Sequence, residues 1–91
     1  MALAQLADLD WAAGNLRACL GWCERLLEVE PLEETVHVRM LECLERLGEP
    51  LAAVLHFRRA TRMLAEQQLP VPPRLTAIAR RIEAAFGGAP A

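Results

Sequence analysis

Cys19, Cys23 and His37 come nearest, by type and spacing, to a set of side chains that could do chemistry. On a helix the C-x3-C spacing puts both sulfurs on one face, where with an imidazole they could supply three ligands to zinc. A structural zinc site needs a fourth ligand, and none stands at a suitable spacing; Cys43 and His56 are distant in the sequence. A Cys–His nucleophile pair meets the same obstacle: no local catalytic signature, no glycine-rich phosphate loop, and little chain to enclose a substrate. The competing reading is that the cysteines are small apolar residues of a core. It predicts Cys19 and Cys23 facing the inside of a helical hairpin, reduced and free of metal. His37 and His56 then read as half-exposed helix residues, and Glu24, Glu28, Glu30, Glu33 and Glu34 as a solvated acidic set. No catalytic, metal-ligating or cofactor-binding residue is assigned, no cofactor is expected, and the chain is read as a non-enzyme.

The elements that position these residues are helices. The 91 residues are 54% hydrophobic and 24% charged, rich in Ala, Leu, Glu and Arg, which excludes a disordered chain and fits one small domain. Five helical stretches follow from periodicity and punctuation, over about 2–13, 16–29, 32–47, 50–68 and 74–86. Gly14-Asn15, Pro31, Gly48 and the run Pro70, Val71, Pro72, Pro73 separate them. The folded domain is expected over 1–86, with 87–91 as a flexible tail. No apolar run reaches the ~20 residues that span a bilayer, and the acidic start is unlike a secretory signal. With an odd number of cysteines, this points to a reduced, cytoplasmic setting.

Gly14 and Gly48 lie 34 residues apart, the period of the tetratricopeptide repeat. Around Gly14 the pattern runs Leu16, Cys19, Cys23, Leu26 and Pro31; 34 residues on it runs Pro50, Ala53, Phe57 and Ala60. A small–aromatic–small succession at i, i+4 and i+7 lets a helix lie close to its hairpin partner while one ring fills the gap. Asp10 stands where the repeat carries an aromatic, Leu41 where it carries a small residue, and Ala65 at the second exit proline. The chain thus resembles an all-α, tetratricopeptide-like right-handed array of two antiparallel helical hairpins plus a C-terminal closing helix. Gly14 and Gly48 are its structural turns, with positive φ.

Four further segments carry a closer resemblance: P-L-E-E (31–34), R-L-G-E-P (46–50), A-A-V-L-H-F-R-R-A (52–60) and L-A-E-Q-Q-L-P-V-P-P-R-L (64–75). They are similar to the bacterial transcriptional activator domain of antibiotic-regulatory-protein-type transcription activators. With the first hairpin included, the resemblance covers nearly the whole chain. It implies a self-association or relay module that accompanies a winged-helix DNA-binding domain, and so one part of a longer protein.

Charge and apolar surface indicate where such a module would make contact. Residues 1–50 hold four Arg and ten acidic residues, a net of −6, whereas residues 51–91 hold six Arg and two acids, a net of +4. Arg58, Arg59 and Arg62 share the outer side of the fourth helix with Leu51 and Leu55, while Arg74, Arg80 and Arg81 lie on the fifth. These arginines are either a solvated face with i, i+4 pairs such as Arg62–Glu66, or a docking face whose Arg stems cover apolar surface. Trp11, toward the concave groove, and Trp22, toward the convex side, are the anchor candidates. The first helix has a spare apolar edge of Ala2, Leu9 and Ala13, which suggests a homodimer or a docked neighbouring regulator domain as partner. The mildly acidic whole argues against DNA binding by this chain, and nothing suggests a membrane partner. The alternative is a stand-alone tetratricopeptide adaptor for a peptide or helix. Of the groove positions Ala4, Asp8 and Arg39, only Arg39 suits a carboxylate clamp.

Overall fold

A computed structural model describes residues 2–86, and these are all-helical: α1 (Leu3–Ala12), α2 (Leu16–Val29), α3 (Glu34–Arg46), α4 (Pro50–Glu66) and α5 (Pro73–Phe86). The expected tail over 87–91 lies outside the described residues. Each helix packs on the next, and α3 also packs on α5, so two hairpins and a closing helix form the tetratricopeptide-like array.

The turns explain the register. Gly14 and Gly48 have φ of +79° and +72°. In both, the glycine N–H and the next one reach back to the preceding helix: Gly14 N to Trp11 O and Asn15 N to Asp10 O, Gly48 N to Glu45 O and Glu49 N to Leu44 O. This is the Schellman closure, and a glycine takes its left-handed position without strain. A third closure of the same kind ends α4, with Gln68 at φ 58° and Leu69 N bonded to Leu64 O. The helix expected to run to 68 therefore stops at Glu66. At the other ends, Pro50 and Pro73 open α4 and α5, where no backbone N–H is needed. Pro31 is followed by a turn, so that α3 starts at Glu34 rather than at 32.

The core follows the repeat pattern. Cys19, Cys23, Ala53 and Ala60 are all but inaccessible, and Leu26 and Phe57 are half-buried beside them. Leu41, oversized for its repeat position, is fully buried in the same cluster as Val38, Cys43, Leu75 and Ile82. Helix α3 buries six residues, more than any other, because α2, α4 and α5 all lean on it. Helix α1 buries only Ala7 and packs at the backbone level on α2 alone.

Three substitutions separate backbone strain from packing. A side chain at Gly48 meets nothing within 4 Å, so Gly48→Val should cost about 1–2 kcal/mol from left-handed strain alone. Gln68→Gly, relieving that strain, should stabilise by about 1 kcal/mol. Gly21, exposed inside α2 with open space around it, should gain about 0.5–1 kcal/mol as Gly21→Ala. Urea denaturation midpoints read all three; equal effects at positions 48 and 21 would contradict the assignment.

Candidate interaction surfaces

The residues with chemical potential are drawn into the core. Helices α2 and α3 bring all three cysteines together in the buried core. All three are free and buried. Burial, reinforced by Cys19, pushes Cys23 and Cys43 up to about 12, so at neutral pH they stay protonated and are poor nucleophiles and poor metal ligands. Among the described residues, no group of three or more His, Cys, Asp or Glu is arranged to hold a metal ion.

The two histidines are not half-exposed as the sequence suggested. His37 is 2% and His56 6% exposed, because α3 and α4 turn them toward one another. Their rings lie 5.0 Å apart, with His37 Nδ1 2.9 Å from His56 Nε2 and His37 Nε2 2.7 Å from the carbonyl of Pro31. A carbonyl only accepts, so His37 Nε2–H donates to Pro31; the remaining nitrogen of neutral His37 then accepts from His56 Nε2–H. Spacing gave no sign of this pair, since its members sit on different helices.

The tryptophans have separate duties. Trp22 donates its indole N–H to Asp10 Oδ2 (2.7 Å), and Asp10 Oδ1 accepts from Asn15 Nδ2 (3.2 Å). Asp10, out of place as a repeat residue, thus staples the first hairpin across its turn. Trp11 is half-buried and spans from α1 to α3, where the guanidiniums of Arg39 and Arg46 lie 4.5 and 4.0 Å from its ring centre. Arg39 also faces Asp8 at 3.4 Å. The one groove position suited to a carboxylate clamp is therefore occupied by the chain's own groups.

The outer face of α4 has no such occupation. Leu51 and Leu55 are 59% and 46% exposed, and Arg58, Arg59 and Arg62 are exposed beside them. The ion pairs among the described residues are Arg17–Glu49, Arg39–Asp8 and Arg81–Glu45. The expected Arg62–Glu66 pair is not formed, and among the described residues none of the three α4 arginines has a carboxylate within 4 Å. Arg81 leaves the basic group of α5: it forks onto Glu45 of α3 at 2.9 and 2.6 Å and fastens the closing helix.

The buried His56 imidazole makes stability depend on pH. Burial, with His37 and Arg59 adding to it, holds His56 down to about 4 from its ordinary 6.5. Between those values the unfolded chain takes up a proton that the folded chain refuses. Stability is therefore complete above pH 6.5 and falls as pH drops toward 4. Between pH 6.5 and 5, above the carboxylate range, the loss should be roughly 2 kcal/mol. Urea midpoints at the two pH values measure it, and His56→Gln should flatten the profile; a flat wild-type profile would contradict the network.

No described helix is long and apolar enough to cross a membrane. No curated protein and no solved structure gives a significant match to the chain. The family model of the bacterial transcriptional activator domain, a transcription-regulatory domain family, matches residues 1–83. With two hairpins in a 34-residue register, a closing helix, and an outer face that serves no internal contact, the chain belongs to the bacterial transcriptional activator domain family.

Proposed function

We propose that this chain is a protein-interaction and self-association module of a bacterial cytoplasmic transcription regulator, acting together with a DNA-binding domain outside these 91 residues. The observation that carries the reading is the exposed Leu51–Leu55 edge continued by three arginines on α4 that have no ion-pair partner among the described residues. Exposed leucines at i, i+4 do nothing for the fold, and arginine stems beside them extend an apolar strip while keeping charge wet. The buried, protonated thiols and the internally bonded histidines fit a module that works by contact rather than by chemistry. A stand-alone adaptor is the weaker reading, because Arg39 is engaged by Asp8 and Trp11.

Nor does α4 suit a nucleic acid: its leucines gain nothing from a phosphate backbone, and the acidic half repels one. Titration against labelled duplexes tests the reading in two arms. The chain alone should bind weakly, without sequence preference, and release with salt. Fused to a monomeric winged-helix DNA-binding domain, it should make the filling of two adjacent sites cooperative. Sequence-selective binding by the chain alone at about 0.15 M salt, or independent filling by the fusion, would contradict it.

A further inference from the structure

The unpaired arginines of α4 have a counterpart elsewhere on the same molecule. Where the start of α1, the end of α2 and the start of α3 meet, Leu3, Leu26, Val29 and Val36 line an apolar groove of about 550 Å³ with Glu30 and Glu33 among its walls. Val29 is 74% exposed, an unusual position for a β-branched apolar side chain that serves its own fold. Among the described residues neither glutamate has a cation within 4 Å, and Glu33 Oε1 accepts from the Thr35 hydroxyl at 3.0 Å. The groove is thus apolar with free acids around it, while the α4 stripe is apolar with free arginines beyond it.

The stripe cannot reach the groove of its own molecule. Helix α4 packs on α3 and α5, has no backbone contact with α1 or α2, and turns the stripe to solvent. We infer that the groove receives the α4 stripe of a second copy of this chain, Leu51 and Leu55 entering among Leu3, Leu26, Val29 and Val36 while Arg58, Arg59 and Arg62 meet the glutamates. The two leucines stand one turn, about 6 Å, apart on one edge, the spacing by which a helix seats in a groove. Apolar burial holds the contact, and the opposed charges fix its direction. The contact is heterologous: each copy presents one stripe and one groove, so association runs head to tail and grows with concentration. This inference names the surfaces and rests on the self-association reading above.

Sedimentation velocity over a range of concentrations tests it on the full chain. The wild-type chain should show a sedimentation coefficient that rises with concentration, and less so in about 1 M salt, where screening shortens to about 3 Å. The stripe variant R58E/R59E/R62E and the groove variant E30R/E33R should each need on the order of 100-fold more protein to assemble. Mixed in equal amounts they should assemble again, since each now offers the charge the other lacks; that rescue also rules out unfolding as the cause of the loss. If R58E/R59E/R62E assembles as the wild type does, or the mixture stays monomeric, this interface is overturned while self-association through another face stands. A wild-type chain that stays monomeric throughout overturns both.

Discussion

A buried imidazole must satisfy two nitrogens or forfeit the cost of hiding them, and His37 meets that demand with partners on either side of α3. Its donation to Pro31 ties down the loop entering α3, and its acceptance from His56 ties down α4. The rest of the array depends on that constraint. Because α3 is fixed at its start and along its length, Leu41 and Val38 can be buried completely against the neighbouring helices. Glu45, just over two turns beyond His37 on α3, then offers its carboxylate to Arg81 of α5. Three helices, α2, α4 and α5, are thus organised by one.

Helix α1 stands apart from that organisation. With one buried residue and one backbone neighbour, its hold on α3 depends on Trp11 and the guanidiniums of Arg39 and Arg46, and on the Asp10–Trp22 bond that closes the hairpin. Few buried contacts mean low local stability, so α1 is the element expected to open first. At the opposite extreme, α4 buries Ala53, His56, Ala60 and Leu64 on one side, and these suffice to seat it. Its other side is left to Leu51, Leu55 and the arginines. The division into a face that folds and a face that is spare is what supports the proposed contact function.

How far this could be read from the sequence depended on whether a feature is local. The glycines at 14 and 48 announce their own backbone angle, and their separation announces the repeat, so the array was legible. The end of α4 was not, because Gln68 takes a left-handed position with nothing in its residue type to signal it. Asp10 looked like a departure from the repeat until its partner, Trp22 on the next helix, was in view. The same holds for His37 with His56, for Cys43 with Cys19, and for Arg81 with Glu45. Each is a pair across elements, invisible to periodicity on one. The α4 stripe was legible as a cluster of residue types; that its arginines lack internal partners required the structure.

The central claim is that the outer face of α4 is dispensable to the fold and used for contact. Following the backbone amide signals of the isotope-labelled chain by NMR as it is diluted tests this most directly. Concentration-dependent shifts are expected only at residues 51–62, 26–36 and 2–4, with the interior of α3 and α5 unmoved. Shifts centred instead on the exposed Leu9 or Phe86, or none at any concentration, would contradict it.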